Sequence, residues 1–118
     1  SVFVGTYGNG LKVFYQDSVY QTYTTENGLV GEEIWTLERD KVGRLWIGTN
    51  TGVSVLHEGI FKNFTTENGL PDNRVRTIKA LENGEVWVGT DKEGIVIFTF
   101  KRGVIKSFSS RYRRRYKW

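Results

Sequence analysis

Six side chains of this sequence have the chemistry to bind a polar ligand. They are an aromatic ring, two guanidinium groups, two carboxylates and an amide, found at Trp35, Arg74, Arg76, Glu33, Asp91 and Asn73. Arg74 and Arg76 alternate around Val75, so together they could attract an anion. An aromatic ring can stack on a sugar, and the whole set suits a hydroxyl-rich ligand, which needs many convergent hydrogen bonds. We therefore predict that these residues bind a ligand.

The same side chains also have an ordinary structural interpretation. Asn-Gly and Asp-Asn pairs form turns, so the loop amides and carboxylates could bond only to the local backbone. Trp35 could pack against a neighbouring element of the fold rather than against a ligand. The sequence leaves both interpretations open.

Patterns for catalysis and metal binding are sparse. The chain has no Cys and one His, His57, which excludes thiolate metal sites and a cysteine nucleophile. Glu32 and Glu33 offer the two carboxylates of glycoside chemistry, but neighbours in a strand point to opposite faces. The sequence predicts no catalytic residue, no metal site and no cofactor, and it favours a binding module over an enzyme.

Composition and charge restrict the function further. The 118 residues are 38% hydrophobic and 25% charged, which is typical of a globular domain. The net charge is +4, but five basic residues lie within 111–118, so the body of the chain is not a nucleic-acid-binding surface. The sequence as given contains no apolar run that would span a bilayer and no leader, so we predict no membrane segment and no signal peptide in it.

An internal repeat reveals the elements that must position these side chains. The segment TTENGL occurs at residues 24–29 and again at 65–70, an offset of 41 residues. The same offset aligns residues 46–49 with 87–90, and a related segment at 3–6 lies 43 residues before the first of these. It also aligns Trp35 with Arg76, so that position is not part of the shared core. The motif common to the copies consists of Phe3, Gly5, Trp46, Gly48, Trp87 and Gly89.

The hydrophobic pattern of each copy predicts four short strands rather than a helix. In the middle copy the strands fall at 34–38, 45–49, 53–56 and 60–65, and each turn between them contains a glycine. Four-stranded antiparallel repeats of about 41 residues are typical of β-propeller blades, which pack their faces on their neighbours. We predict an all-β fold of three such blades, or nearly three. A β-sandwich is the alternative, but it gives no reason for a repeated loop.

The repeat divides the chain into a partial blade at 1–33, blades at 34–74 and 75–110, and a basic aromatic tail at 111–118. The partial blade begins at its second strand. Because antiparallel strands alternate direction, the loop entering each blade and the turn between its second and third strands lie at the same end. We predict that this end is the binding face.

Three blades cannot close a ring, since propellers have roughly four to eight. We expect either that the chain is part of a longer propeller or that copies join head to tail as a homo-oligomer, two copies giving six blades. The alternating aromatic and basic tail could supply a closing strand, an oligomer latch formed by Tyr112, Tyr116 and Trp118. A disordered solvated end and an arm binding nucleic acid or an acidic surface are the alternatives for the tail.

The repeat motifs also resemble a known family. LWIGTNTGVSV followed by FTTENGLPDNRV is similar to the two-component regulator propeller repeat, and the resemblance covers residues 1 to about 109. Such repeats form large propellers in the periplasmic sensor part of hybrid two-component regulators, many of which respond to oligosaccharides. The resemblance implies a periplasmic or extracellular sensor module with an oligosaccharide-like ligand. A self-assembling structural repeat protein without a small-molecule ligand is the alternative.

Overall fold

The structure is a computed structural model that describes residues 1–92, 94–101 and 104–112, with side chains for 1–92 and 94–100. Within these residues the chain forms eleven β-strands and two short 3-10 turns. The strands are β1 (Val2–Gly5), β2 (Leu11–Tyr15), β3 (Ser18–Tyr23), β4 (Ile34–Arg39), β5 (Leu45–Thr49), β6 (Gly52–His57), β7 (Ile60–Phe64), β8 (Val75–Ala80), β9 (Val86–Thr90), β10 (Ile95–Lys101) and β11 (Val104–Tyr112). The turns, Thr25–Asn27 and Thr66–Asn68, follow β3 and β7.

The strands of the described residues form three antiparallel sheets in chain order, which confirms the all-β prediction. Blade 1 is β1-β2-β3, blade 2 is β4-β5-β6-β7, and blade 3 is β8-β9-β10-β11. The four strands predicted for the middle copy are present, with ends within one residue of the prediction. As the alignment implied, β1 occupies the place of a second strand, because it carries the same motif as β5 and β9.

Blade 2 lies between blades 1 and 3, and both of its faces are buried. On β5, Leu45 and Ile47 pack towards blade 1, whereas Trp46 packs towards blade 3. The Trp46 ring is fully buried and meets the ring of Phe98 edge-on, with 4.9 Å between the ring centroids. Because apolar burial stabilises by about 25 cal/mol per Å², these two interfaces supply much of the stability of the fold.

The glycine of the repeat motif lets the next blade approach β5 closely. A Cβ atom at Gly48 would lie 2.7 Å from Cγ1 of Val75, on the first strand of blade 3. A Cβ at Gly5 would overlap Ile34 of blade 2 in the same way. At Gly89, by contrast, the described residues bring only Thr77 of the same sheet near that position. The glycines therefore mark where a neighbouring blade packs, and blade 3 has no such neighbour among the described residues.

The repeated TTENGL segment folds as a capped turn. The Asn27 side chain accepts a hydrogen bond from the Thr24 N–H at 2.8 Å, and the Thr24 hydroxyl accepts one from the Glu26 N–H at 3.2 Å. Gly28 ends the turn with φ at 109°, in the left-handed region that glycine enters without strain. The second copy repeats these contacts at Thr65, Asn68 and Gly69. The amides of this segment therefore bond to the local backbone, as the structural interpretation proposed.

A buried ion pair holds the opposite end of blade 2. The Asp40 carboxylate accepts hydrogen bonds from Arg44 Nε at 2.6 Å and from Trp46 Nε1 at 2.9 Å. The Arg44 guanidinium also lies over the Phe100 ring of blade 3, 3.8 Å from its centroid. Burial tends to raise the pKa of Asp40, but these bonds and the Arg44 charge outweigh it and hold the pKa below its usual value.

Candidate functional site

Two equivalent β-bulges present side chains at the predicted binding end. The register of β4 against β5 shifts between Ile34 and Thr36, and that of β8 against β9 shifts between Val75 and Thr77. Trp35 and Arg76 occupy the two shifts. A bulge re-aims the side chain it carries, which places both residues outside the regular alternation of their strands.

Three residues from three successive blades stack on one another at this end. The rings of Tyr7 and Trp35 are nearly parallel, at 13°, with 5.9 Å between their centroids. The Arg76 guanidinium carbon lies 3.2 Å from the centroid of the Trp35 ring. We call Tyr7, Trp35 and Arg76 the aromatic stack. Because each member belongs to a different blade, the stack ties the three sheets together at the predicted binding end.

Glu33 holds the first half of the aromatic stack in place. Its carboxylate accepts a hydrogen bond from Trp35 Nε1 at 3.0 Å and another from the Asn50 amide at 3.2 Å. Glu33 also pairs with Tyr7 through a backbone bridge. Partial desolvation, a hydrogen bond with Glu33 and the charge of Glu33 raise the pKa of Tyr7, and the Arg76 charge opposes them. The Tyr7 hydroxyl is therefore a neutral donor at physiological pH.

Two arginines and two aspartates form the other half of the site. Arg76 Nε lies 3.3 Å from Asp91, and Arg74 contacts both Asp91, at 3.7 Å, and Asp72, at 3.2 Å. Asp72 is buried and also accepts the backbone N–H of Lys92 at 3.0 Å. Its burial tends to raise its pKa, but the bonds from Arg74 and Lys92 lower the pKa below its usual value. Arg74 and Arg76 remain nearly half exposed, so both side chains are open to solvent.

The structure brings together five of the six residues singled out in the sequence: Trp35, Arg74, Arg76, Glu33 and Asp91. Asn73 has a different role, because its side-chain oxygen accepts the Thr66 N–H at 2.8 Å and closes the loop. Glu32 bonds to Thr25 at the equivalent place. Trp35 packs on residues of both neighbouring blades, which is the alternative that the sequence left open. Ligand binding by these residues stays a prediction.

Sequence reasoning placed Tyr7 at the predicted binding end but did not count it among the six candidate binding residues. Tyr7 aligns with Asn50 and Asp91 at the repeat offsets, in the turn after the second strand of each copy. All three residues contact the site, Tyr7 through its ring, Asn50 through Glu33 and Asp91 through the arginines. The alignment of Tyr7 with Asn50 and Asp91 could therefore have identified Tyr7 as a site residue. The strand topology had already assigned this turn to the predicted binding end.

Other predicted features fall elsewhere or outside the described residues. A groove of about 530 Å³ lies at the opposite end of blade 1, lined by Ser1, Val2, Val4, Phe14, Tyr15, Gln16 and Asp17. His57 is the exposed last residue of β6, directly before a turn. Of the latch residues, Tyr112 pairs through its backbone with Ile95, while Tyr116 and Trp118 lie outside the described residues. The described residues contain no helix that could span a membrane and no acidic or histidine cluster suited to a metal ion.

The profile of the two-component regulator propeller family matches residues 28–51 and 69–92. These two segments are two-component regulator propeller repeats. Each repeat starts in the TTENGL loop and runs through the first two strands of its blade, so it includes Glu33, Trp35 and Asn50 in one copy and their equivalents in the other. The family resemblance seen in the sequence is therefore confirmed, and the sheets are propeller blades.

Nine chains of solved structures are similar to this one. One is the extracellular domain of a protein assigned as a hybrid two-component system of B. thetaiotaomicron, with a TM-score of 0.78 and 27% sequence identity over 94% of this chain. The chain spans 15% of the length of that protein chain. A search of curated proteins gives no match.

Proposed function

We propose that this chain is a sensor-type propeller module that binds an oligosaccharide-like ligand at its loop end. The aromatic stack carries this proposal, because it joins three blades and lies beside the carboxylates of Glu33 and Asp91 and the nearly half-exposed side chain of Arg74. An aromatic platform with convergent polar groups is a typical sugar-binding arrangement. A ligand bound there would contact all three blades at once.

The comparisons support the sensor part of the proposal. The chain carries two-component regulator propeller repeats, and a similar structure is the extracellular domain of a protein assigned to a hybrid two-component system. We propose that the module works outside the cytoplasm, in the periplasm or at the cell surface, as part of such a sensor. We also propose that it binds without catalysis, since Glu32 and Glu33 are both engaged in holding loops or aromatic rings.

We further propose that blade 1 packs against another blade. Val2 and Val4 are 62% and 40% exposed, whereas their equivalents in blade 2, Leu45 and Ile47, are 5% and 0% exposed. In blade 2 the equivalent apolar face is covered by blade 1, so we expect the face of blade 1 to be covered by another blade as well. A second copy joined head to tail would cover it and give six blades. A blade from elsewhere in a longer protein is the other candidate.

Binding of defined oligosaccharides to the full chain tests the ligand proposal. We expect isothermal titration calorimetry to give saturable binding for at least one member of a panel of linear neutral and acidic oligosaccharides. Trp35→Ala or Arg76→Ala should abolish that binding. The matched control is Lys62→Ala, which removes an exposed basic residue from β7, outside the site.

The result separates the proposal from the structural alternative. A structural repeat protein would assemble without binding any member of the panel, and its assembly would not depend on Arg76. Binding that survives both Trp35→Ala and Arg76→Ala would place the ligand elsewhere and contradict the site.

A further inference from the structure

We propose that the loop end selects an uncharged glycan, and that the solvent-facing ring of Tyr7 is the surface on which one of its sugar units stacks. This inference rests on the oligosaccharide function proposed above and specifies the ligand of the same site.

The charges of the site are already balanced without a ligand. Both arginines have carboxylate partners, since Arg76 contacts Asp91 and Arg74 contacts Asp91 and Asp72. With Glu33, the site contains three carboxylates and two guanidinium groups, a formal charge of −1. Including the exposed Lys92 brings the sum only to zero. The site therefore offers no excess positive charge for an anion.

An acidic sugar would have to compete with the protein's own carboxylates. To approach Arg74 or Arg76 it would bring its negative charge beside Asp91, which already neutralises both arginines, and towards Glu33. A neutral sugar meets neither cost. Its hydroxyl groups donate to carboxylate oxygens and accept from guanidinium N–H groups, so they add bonds to the network without breaking the existing pairs.

The aromatic stack leaves Tyr7 as the ring with the most open surface. Trp35 is in contact with both Tyr7 and Arg76, and it is only partly exposed. Tyr7 is 73% exposed. Its ring stacks parallel on Trp35 and its backbone bridges to Glu33, so a sugar would meet a surface that is partly ordered in advance. Trp35 then supports the platform rather than touching the sugar directly.

Matched neutral and acidic probes test the charge selectivity on the full chain. We would titrate β-1,4-linked glucose and α-1,4-linked galactose tetrasaccharides, and the corresponding tetrasaccharides oxidised to carboxylates at C6, by calorimetry at moderate ionic strength. We expect the neutral member of a pair to bind at least tenfold more tightly than its acidic counterpart. Equal or tighter binding of the acidic member overturns this inference but leaves the oligosaccharide function standing. Failure of all probes to bind overturns the oligosaccharide function itself.

Variants of Tyr7 test the stacking surface with the same neutral probe. Tyr7→Ala should weaken binding about tenfold, and Tyr7→Phe, which keeps the ring, should stay within about threefold of the parent chain. Tyr20→Ala is the control, because it removes an equally exposed tyrosine from blade 1, outside the site. Unchanged binding in Tyr7→Ala, or equal losses in Tyr7→Ala and Tyr20→Ala, would overturn the assignment of Tyr7.

Discussion

At the scale of single residues, Asp40 shows how one carboxylate stabilises a blade. It is buried, and it accepts hydrogen bonds from four groups: the Arg44 side chain, the backbone N–H groups of Val42 and Arg44, and the Trp46 indole. Removing one partner of a buried charged pair leaves the other without compensation, which is costly. Asp40 also anchors Trp46, whose ring fills the interface with blade 3.

Replacing this carboxylate should destabilise the protein. We expect Asp40→Asn to lower the free energy of unfolding by about 2 kcal/mol or more, because a charge-assisted network becomes a partly satisfied neutral one. Asp17→Asn, in an exposed turn, is the matched control and should change little. Urea denaturation at neutral pH measures both. Equal stabilities for the two variants would show that the Asp40 network contributes nothing.

The lowered pKa of Asp40 also sets a pH dependence. Because the carboxyl has a lower pKa in the folded state than in the unfolded state, its contribution is present above the unfolded value, near 4, and is lost as pH falls through the folded pKa. We expect stability to fall below about pH 4, and to fall less steeply in Asp40→Asn. The pKa of Asp72 is also lowered, so stability should still depend partly on pH in the Asp40→Asn variant. An identical slope in the parent chain and the variant would contradict the assignment.

At the scale of elements, the glycine of the second strand sets the distance between blades. Gly48 has no side chain at the point where β8 crosses β5, and Val75 and Thr36 fill the space. This explains why the three copies share a strand in which an aromatic residue is followed two positions later by a glycine. The large side chain fills the interface, and the glycine two residues later lets the next sheet approach.

Filling that space should weaken the interface between blades 2 and 3. We expect Gly48→Ala to lower the free energy of unfolding by about 1–3 kcal/mol, as overpacking of a core does. The double variant Gly48→Ala, Thr36→Ser should recover part of the loss, because it removes a methyl group that the new Cβ would strike. Denaturation curves measure both. A Gly48→Ala variant as stable as the parent chain would contradict the claim that Thr36 and Val75 leave no room for a side chain at position 48.

The strands could be predicted from the sequence, whereas the contacts within the site could not. Alternating apolar residues and glycine turns fix a strand such as β5 to the residue. The bulges at Trp35 and Arg76 break that alternation without a turn signal, so sequence reasoning could list both residues but not stack one on the other. Likewise, pairing of Arg74 and Arg76 with Asp91 depends on register across two strands. The expectation from the sequence that Arg74 and Arg76 attract an anion does not take this carboxylate partner into account.

At the scale of the whole molecule, the exposed face of blade 1 is the feature that most needs a partner. Its valines occupy positions that are buried in blade 2, and the adjoining groove is mainly apolar. An exposed apolar surface of this kind marks an interaction site. Packing of a second copy there would repeat the contacts that blades 1 and 2 already make.

Light scattering coupled to gel filtration tests this association. We expect a particle of twice the 13.6 kDa chain mass, and we expect Val4→Glu to shift it to a single chain, because a charge would be buried in the new interface. Val42→Glu is the control, since Val42 is similarly exposed but lies in a turn of blade 2. A cooperatively folded particle of one chain mass in the parent protein would contradict association of copies.

The most direct test of the account is an NMR titration that follows the tryptophan indole N–H signals as an oligosaccharide is added. The Trp35 indole N–H bonds to Glu33 within the site, whereas that of Trp46 is buried against Asp40. We expect the Trp35 signal to shift saturably with the bound fraction while the Trp46 signal stays in place. A saturable titration in which Trp35 does not move would contradict ligand binding at the loop end.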